Sequence, residues 1–553
     1  MPAGAMQTVT WSVSPSGSVS ATGLFTAPMV SANQMFTVTA TSMADAVKSG
    51  SFVVQVNATA PAAPTGVTVT CQTPVVSGAT SQCNAVVAPT GSSQAVTWTA
   101  SGGTITQTGL LTAPSETVTT NIMVTAAAGS VSGMFQVQVN PSTAPPPSAT
   151  GPENLGAGSY PSAAVDSTGV INIAWFTEAG IAFAQSQNQG VTFNIPVVVV
   201  PAPAFEPSIA VDGQSDILIL TGNNPTNTLG KDIAVVAHST DGGKTFTAVT
   251  AQQNTYESLL LVQPSGVVDL AYTTSDDNEV DPDNALHEKR STDGGNTFTN
   301  DQTLWTAPIN VSDIQQMRGA LGPQGQIYYS WTEQVDLNCE VHFVNSLDGL
   351  TFQPSVLLTN NDDCNRDGAL VVDAAGNIDA TWATGGTDFA RSTDQGQTFT
   401  TPTLVPIGEE AGQLAVGPNG ALNSVVDGQS LTFTQSLDNG VTWSAPVSLG
   451  LSGAPANFMG PQDAQIAVDP SGKITVAWRD DTNGTFAGDY DVYISTSTDG
   501  KNFTPATNIS KAAGAFTSAP TVLIAPQGLR YIYWYETSNT NAADVNVFFY
   551  AVQ

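Results

Sequence analysis

The chain has 553 residues and a formal net charge of −32, with 13 Lys and Arg against 45 Asp and Glu. This excess of acid argues against nucleic acids and anionic membrane surfaces as partners, because both require basic patches. No apolar run is long enough to span a membrane, and Ser, Thr, Asn, Gln and Gly dominate the polar residues, which is typical of an extracellular β protein.

Residues 1–141 contain a repeat of about 87 residues. VTWSVSPSGSVSATGLFTAP at 9–28 corresponds to VTWTASGGTITQTGLLTAP at 96–114. Alternating Val and Thr with Gly and Pro turns indicate β-sandwiches. The spacing WxxxxxGxxxxxGLxTAP resembles bacterial Ig-like group 2 domains, which occur in secreted and surface proteins. We therefore expect a partial Ig-like domain at 1–58 and a second one at 62–141.

The first of these domains is about two strands short. Strands near Val67–Cys71 and Cys83–Val87 open the second copy, and the first copy has no counterpart for them. Two explanations are open. The beginning of the chain is missing, or a neighbouring chain donates a strand and the protein assembles through this domain. The Pro- and Ser-rich segment 142–152 predicts a semi-stiff linker.

A short phrase occurs seven times in residues 153–553. The copies are SQNQGVTF (186–193), STDGGKTF (239–246), STDGGNTF (291–298), SLDGLTF (346–352), STDQGQTF (392–399), SLDNGVTW (436–443) and STDGKNF (497–503). The phrase resembles the Asp-box, or BNR repeat, of the sialidase superfamily, Ser-x-Asp-x-Gly-x-Thr-aromatic. An Asp in this position can accept hydrogen bonds from its own turn, so we interpret these residues as structural. They are Asp241, Asp293, Asp348, Asp394, Asp438 and Asp499.

A second phrase occurs eight times, between the Asp-box copies. It is an apolar run, a turn with Gly or Pro, and a second run rich in β-branched and aromatic residues, as in PSAAVDSTGVINIAW at 161–175. This pattern predicts a hairpin, and two hairpins form a four-stranded blade. The predicted fold is all-β: an eight-bladed β-propeller at 153–553 with four-stranded blades, preceded by Ig-like β-sandwich domains. Since the chain stops before an eighth Asp-box, residues near Asn154–Gly156 should pair with the last strand and close the ring.

The four cysteines form two local pairs. Cys71 and Cys83 bracket a hairpin of the second Ig-like domain, and Cys339 and Cys364 flank two strands of the fourth blade. In a secreted protein this spacing predicts two disulfides. The three histidines have no metal-ligand spacing relative to the cysteines, which argues against zinc.

Propeller topology sorts the charged residues between the two faces. Arg318 and Arg366 precede first strands, and Arg479 ends a second strand, so all three should lie on one face, which we call the upper face. Acids follow the buried Trp of several second strands and belong to the same face. The ligand-binding candidates are therefore Arg318, Arg366, Arg479, Asp480, Glu333, Glu178 and Glu536. Arg290, Arg391 and Arg530 should lie towards the opposite, lower face.

The sialidase resemblance implies a glycan ligand and, in the enzymes, three arginines that grip a carboxylate, a Tyr–Glu nucleophile pair and an Asp acid/base. Arg318, Arg366 and Arg479 could supply such a triad, or could be salt-bridged to neighbours. The chain departs from the family pattern because no arginine precedes Arg290, and because eight blades exceed the usual six.

Two upper loops are unusually acidic, one at 274–284 and the other, NNDDCNRD, at 360–367. TSDDNEVDPDN at 274–284 places Asp277, Glu279, Asp281 and Asp283 at alternating positions. Oxygen ligands two residues apart are the pattern of a calcium loop, although the Gly and terminal Glu of an EF-hand are absent. Calcium is therefore a possible cofactor, and a solvated acidic loop is the alternative.

Taken together, these patterns predict a secreted or cell-surface protein of bacterial type. The leading hypothesis is a non-catalytic binding or adhesion protein whose upper propeller face binds glycan or another surface ligand. The alternatives are a sialidase-like exo-glycoside hydrolase and a surface-layer or filament subunit.

Overall fold

The protein is all-β. The computed structural model describes residues 8–28, 30, 32–57, 63–76, 80–89, 92–114, 120–140, 151–224, 232–274, 284–307, 311–335, 338–359, 366–383, 385–408, 412–427, 430–451, 457–510, 515–538 and 544–552. Every regular element in these ranges is a β-strand, 46 in all. A helix long and apolar enough to cross a membrane is absent from the same ranges.

The chain divides into two compact units. The first comprises Met1–Val75, Ser81–Pro114 and Thr119–Val139, and the second comprises Val76–Thr80, Ser115–Val118 and Asn140–Gln553.

The first unit begins with five strands. They are β1 (Val9–Ser14), β2 (Ser18–Val19), β3 (Phe25–Thr26), β4 (Gln34–Ser42) and β5 (Ser49–Val56). β1, β4 and β5 form an antiparallel sheet in that order, and β2 pairs with β3. Phe36 of β4 is fully buried.

Eight further strands complete the first unit and form two four-stranded sheets, β10-β11-β8-β6 and β7-β13-β12-β9. They are β6 (Gly66–Cys71), β7 (Val75–Val76), β8 (Thr80–Ala88), β9 (Thr97–Ala100), β10 (Thr104–Ile105), β11 (Leu110–Thr112), β12 (Thr120–Ala128) and β13 (Val131–Asn140). The predicted disulfide between Cys71 and Cys83 is confirmed, and it joins directly paired residues of β6 and β8. The side chains of Cys339 and Cys364 lie outside the described residues.

The second unit contains eight antiparallel sheets that follow one another along the chain. In sheets 1 to 7 the four strands pair in sequence order, as two successive hairpins require. Sheet 1 is β15 (Ser159–Val165), β16 (Ile171–Thr177), β17 (Gly180–Ser186) and β18 (Val197–Pro201). Sheet 2 is β19 (Ala204–Val211), β20 (Ile217–Asn223), β21 (Asp232–Ser239) and β22 (Thr247–Thr255). Sheet 3 is β23 (Ser258–Val262), β24 (Val268–Thr274), β25 (Ala285–Ser291) and β26 (Thr299–Thr306).

The next four sheets repeat this order. Sheet 4 is β27 (Val311–Leu321), β28 (Ile327–Val335), β29 (Asn338–Ser346) and β30 (Val356–Leu357). Sheet 5 is β31 (Arg366–Val372), β32 (Ile378–Ala383), β33 (Thr387–Ser392) and β34 (Thr403–Leu404). Sheet 6 is β35 (Gln413–Val416), β36 (Leu422–Val426), β37 (Thr432–Ser436) and β38 (Val447–Ser448). Sheet 7 is β39 (Pro461–Val468), β40 (Ile474–Asp480), β41 (Asp491–Ser497) and β42 (Thr507–Asn508).

Sheet 8 combines both ends of the unit. It contains β43 (Ala515–Thr517), β44 (Thr521–Ile524), β45 (Arg530–Ser538) and β46 (Val545–Val552), and its outer strand is β14 (Glu153–Ala157). Asn154 pairs with Phe548 and Gly156 with Val547, so the predicted pairing of this segment with the last strand is confirmed. The first strands of successive sheets contact one another, and β15 of sheet 1 contacts β44 and β45 of sheet 8.

The core of the second unit lies along the second strands. The fifth residue of this strand is a Trp in five sheets, and each of these side chains is at most 1% exposed. They are Trp175, Trp331, Trp382, Trp478 and Trp534. Apolar side chains at alternate positions pack neighbouring sheets together, as Ile173 and Tyr533 do between sheets 1 and 8.

A buried polar pair joins the second and third strands at one position of several sheets. Gln185 donates from Nε2 to Oδ1 of Asn172 over 2.7 Å in sheet 1. Gln435 makes the same bond to Asn423 over 2.8 Å in sheet 6. In sheet 5 the position holds an ion pair, in which Nη1 of Arg391 lies 2.9 Å from both carboxylate oxygens of Asp379. Asp269 and Arg290 form the same type of pair in sheet 3 over 2.7 Å.

The repeated aspartates close the turns between third and fourth strands. Thr245 donates its backbone N–H to Oδ1 of Asp241 over 2.9 Å and its hydroxyl to Oδ2 over 2.7 Å. Gly243, at φ +82°, supplies the left-handed backbone that this turn needs. These hydrogen bonds stabilise the ionised form and lower the pKa of Asp241 to about 2. Equivalent bonds are made by Asp293, Asp348, Asp394, Asp438 and Asp499.

Candidate binding site on the upper face

The upper face is the side on which each first strand begins and each second strand ends. Five of the described first strands have a β-bulge just inside this face, and in four of them Tyr160, Glu206, Gln316 and Asp463 have φ between 46° and 55°. Non-glycine residues rarely adopt this left-handed backbone, which costs roughly 1–3 kcal/mol for each residue. The same left-handed backbone therefore recurs at equivalent positions of sheets 1, 2, 4 and 7. A bulge redirects the side chain that it carries.

A polar cleft of about 310 Å³ lies between sheets 2, 3 and 4 on this face. It is lined by Phe205, Glu206, Gly222, Asp232, Thr255, Tyr256, Glu257, Ser258, Leu259, Gln316, Met317 and Arg318. Glu206 and Tyr256 are exposed, whereas Asp232 and Arg318 are half-buried. The charged groups of the cleft are thus three carboxylates and one guanidinium.

Glu257 holds sheets 3 and 4 together at the cleft. Its Oε1 accepts a hydrogen bond from the backbone N–H of Gln316 over 3.1 Å, and Oε2 accepts one from Met317 over 3.0 Å. Both donors belong to the bulge of β27, so the carboxylate pairs backbone groups that a regular ladder would have used. Glu257 therefore positions the bulge that precedes Arg318.

Asp232 begins the third strand of sheet 2 and has a different environment. Burial raises its pKa, and a hydrogen bond from Nδ2 of Asn224 over 2.7 Å opposes this shift. The cleft consequently combines a partly buried carboxyl group at Asp232 with an exposed carboxylate at Glu206.

Arg479 lies in a separate cluster, formed by sheets 7 and 8. Its guanidinium forms an ion pair with Asp463 and donates to the carbonyl of Thr517 over 3.1 Å. The guanidinium carbon lies 4.6 Å from the ring centre of Tyr490 and 5.5 Å from that of Phe516, which are cation–π distances. The described contacts therefore assign Arg479 to its own cluster and Arg318 to the cleft.

Three of the predicted acids turn inward to tryptophan. Oε1 of Glu536 accepts the indole N–H of Trp534 over 2.8 Å, and Oδ2 of Asp480 accepts that of Trp478 over 3.3 Å. Oε2 of Glu333 accepts the indole N–H of Trp305 over 3.0 Å. The three acids, Glu333, Asp480 and Glu536, are at most 8% exposed. They support the core of their sheets rather than present oxygens to a ligand.

The remaining predicted positions are dispersed. Glu178 is exposed and lines another cleft of about 570 Å³ between sheets 1 and 8, beside Phe176 and Val545. The side chain of Arg366 lies outside the described residues, and so do Asp277, Glu279, Asp281 and Asp283. In the described ranges, no cluster of three or more His, Cys, Asp or Glu could hold a metal ion.

Buried carboxyl groups predict that stability falls as the pH rises from about 5 to 8. Burial raises the pKa of Glu536 to about 7, and burial together with Asp269 raises that of Glu288 to about 8. The folded protein then holds protons that the unfolded chain has released, so the free energy of unfolding decreases across this window. We expect the melting temperature to be about 2–6 °C lower at pH 8 than at pH 5.

The variant Glu536→Gln is the matched control for this pH dependence, because an amide oxygen can still accept the indole N–H but does not titrate. It should show a smaller difference in melting temperature between pH 5 and pH 8. An equal difference in the variant would show that Glu536 ionises normally in the folded protein.

Sequence analysis missed Tyr160, Glu206, Tyr256 and Glu257. A signal was present in the sequence, because bulge residues stand one position before the hairpin phrases. Tyr160 precedes PSAAVD at 161–166, and Glu206 precedes the corresponding PSIAVD at 207–212. Alignment of the eight hairpin phrases, extended at their beginning, would have shown acids at the same position in sheets 2, 3, 5 and 7.

Comparisons with known proteins give structural likeness alone. No protein-family profile matches the chain, and no curated protein matches it. A polysaccharide lyase, an ulvan lyase of family PL25, has 12% identity and a TM-score of 0.44 over 62% of this chain and 94% of its own. The NanB sialidase of Streptococcus pneumoniae has 9% identity and a TM-score of 0.38 over 78% of this chain and 88% of its own. The GH93 α-L-arabinofuranosidase of Fusarium graminearum has 11% identity and a TM-score of 0.36 over 72% and 93%.

Proposed function

We propose that the second unit is an eight-bladed β-propeller preceded by Ig-like domains. Eight successive antiparallel sheets, the contacts between consecutive first strands and the return of β15 to sheet 8 support a ring. The two four-stranded sheets of β6–β13 support an Ig-like domain at 62–141, with a partial one at 1–58 and a linker at 142–152.

We propose further that the upper face binds a glycan. The observation that carries this proposal is the polar cleft, in which Glu206, Asp232 and Arg318 surround an opening beside the exposed ring of Tyr256. Carboxylate and guanidinium groups hydrogen-bond to sugar hydroxyls, and an aromatic ring packs on the apolar face of a sugar. A few convergent polar groups beside an aromatic surface are typical of small-ligand sites.

Binding without catalysis is the favoured form of this function. Among the described acids of the upper face, Glu257 is engaged by the β27 bulge and Asp463 by Arg479. Glu333, Asp480 and Glu536 are engaged by indole groups. These carboxylates build the face and are not free to act on a substrate.

A glycan array, run with and without calcium, tests the binding proposal. Arg318→Ala should weaken binding of the selected glycan about 10- to 100-fold, the effect of losing one or two hydrogen bonds to a charged group. Lys244→Ala, which removes an exposed cation from a lower turn, is the matched control and should bind normally. Unchanged affinity in Arg318→Ala would exclude this cleft as the site, and binding that requires calcium would support the predicted acidic loop.

Glycoside hydrolysis is the second candidate, and one observation favours it. Asp232, whose pKa is raised, and the exposed Glu206 line the same cleft, and glycosidases use a carboxyl pair of this kind. We expect no release of a fluorescent aglycone from a sialoside, because Arg318 lines the cleft whereas Arg479 lies in a separate cluster with Asp463. Robust turnover that disappears in Glu206→Gln would establish a hydrolase instead.

A secreted or cell-surface location fits this function. The disulfide between Cys71 and Cys83 is of a kind that persists in oxidising compartments. Assembly through the partial first domain, as in a surface layer or filament, is a further proposal that concentration-dependent light scattering would test.

A further inference from the structure

An aromatic platform lies on the upper face beside the cleft. It consists of Tyr160, Tyr490, Phe516 and Tyr535, which sheets 1, 7 and 8 contribute. Tyr490 and Phe516 meet edge to face with ring centres 6.3 Å apart, and Tyr160 and Tyr535 lie 5.3 Å apart. Tyr160 is 47% exposed and Phe516 is 45% exposed, so two rings of the platform face solvent.

Arg479 fixes one end of this platform. Its guanidinium lies over both Tyr490 and Phe516 while Asp463 and the carbonyl of Thr517 hold it in place. The hydroxyl of Thr517 also donates to the carbonyl of Tyr490, which ties β43 to the start of the third strand of sheet 7. The rings are therefore preorganised before a ligand arrives, which reduces the entropy lost on binding.

The platform and the cleft adjoin through the first strands of sheets 1 and 2. Tyr160 and Glu206 occupy equivalent bulges of β15 and β19, two strands in contact with each other, and Glu206 lines the cleft. Burial is the main cause that raises the pKa of Tyr535 to about 12, with smaller contributions in the same direction from Tyr160 and Glu206 and an opposing one from Arg479. The groups that act on Tyr535 thus come from the platform and from the cleft. One strip leads from Phe516 through Tyr160 to Glu206 and Arg318.

The charge of this strip excludes one class of glycan. Four carboxylates line it, those of Glu206, Asp232, Glu257 and Asp463, against two guanidinium groups. Arg479 is already paired with Asp463, and the chain as a whole carries a net charge of −32. An acidic polysaccharide would be repelled, whereas an uncharged one would not.

We infer that the ligand is an extended, uncharged glycan chain that occupies the cleft and the aromatic platform together, an inference that rests on the proposed glycan-binding function. A terminal sugar reaches only one end of the strip. Successive units of a chain can hydrogen-bond in the cleft and pack on Tyr160 and Phe516, so the two sites act as linked subsites with added affinity.

Oligosaccharides of defined length test this inference by calorimetry on the full chain. The probes are disaccharides and hexasaccharides of β-1,4-linked glucose, xylose and N-acetylglucosamine, with an oligogalacturonate hexamer as the acidic comparison. We expect one neutral hexamer to bind about tenfold or more tighter than its dimer, the gain that two aromatic contacts provide. The acidic hexamer should bind more weakly than the neutral one.

The variants separate the platform from the cleft. The double variant Phe516→Ala, Tyr160→Asn should lower hexamer affinity to that of the dimer and leave dimer affinity unchanged; Asn is chosen because it tolerates left-handed backbone. Arg318→Ala should weaken both probes, and Leu437→Ala, which removes an exposed apolar side chain from a lower turn, should change neither. Equal affinity for dimer and hexamer, or tighter binding of the acidic hexamer, would overturn the inference and leave glycan binding intact. No binding of any oligosaccharide by the folded protein would overturn both.

Discussion

Deletion of Glu153–Ala157 is expected to lower the free energy of unfolding of the second unit by about 5 kcal/mol. The deletion removes β14, whose residues pair with Asn546–Phe549 of β46. Leu155 of β14 is 8% exposed and belongs to the same buried cluster as Val547, so the deletion uncovers apolar surface there. Burial of a Leu side chain contributes about 1.5–3 kcal/mol. The lost ladder bonds add about 1 kcal/mol each. It also removes the carbonyl of Ala157, which accepts the indole N–H of Trp175 over 3.1 Å.

The melting temperature, measured by calorimetry, should fall by about 5–10 °C in this deletion. β46 would then present unpaired N–H and C=O groups, so light scattering should detect self-association. Deletion of Thr143–Pro147, five residues of the predicted linker, is the matched control and should leave the melting temperature unchanged. If both deletions behave alike, the pairing of β14 with β46 does not stabilise the second unit.

Replacement of Arg391 by Gln is expected to destabilise the protein by about 3–5 kcal/mol at pH 8, because burial already raises the pKa of Asp379 to about 7 and its ionised form would lose its cationic partner. Asp379 is fully buried and meets Nη1 of Arg391 at 2.9 Å through both oxygens, while Asp373 meets Nη2. In the variant, Asp373 keeps its hydrogen bonds from the backbone N–H groups of Ala375 and Asn377. The loss of favourable electrostatic interaction therefore affects mainly Asp379.

The chain itself supplies the rescue for this variant. Sheets 1 and 6 use Asn–Gln at the position where sheet 5 uses Asp379 and Arg391. The double variant Asp379→Asn, Arg391→Gln should therefore recover most of the lost stability, to within about 1–2 kcal/mol of the parent, in urea unfolding. An Arg391→Gln variant as stable as the parent, or a double variant less stable than the single one, would contradict this account.

Local geometry explains why the Asp turns could be predicted from spacing. Every bond of the turn at Asp241 joins residues at most four positions apart, from Ser239 and Thr245 to the carboxylate. Such bonds depend on the backbone of one short segment, and the same letters therefore produce the same turn in each sheet. The pairing of β14 with β46 could be predicted for a related reason, since the repeat left the last hairpin one strand short.

The predicted site residues do not form one site, because the side chains or backbone groups that bind them belong to other strands. Arg318 and Arg479 were predicted to lie together on the upper face, but Arg479 is held by Asp463 of the neighbouring strand, whereas Arg318 lines the cleft. Glu333, Asp480 and Glu536 follow tryptophans as predicted, and whether they face solvent or an indole N–H depends on side-chain packing that periodicity does not contain.

The sequence by itself determined the all-β class, the repeating hairpins, the turns that join them, the closing strand and the disulfide between Cys71 and Cys83. These features depend on contacts between near neighbours or on the count of repeats. Only the tertiary structure decided which partners the polar side chains of the upper face have. Glu206 and Arg318 are over a hundred positions apart and share a cleft, whereas Glu257 and Asp463 are engaged. The reason is that a bulge and the packing of adjacent sheets orient these side chains.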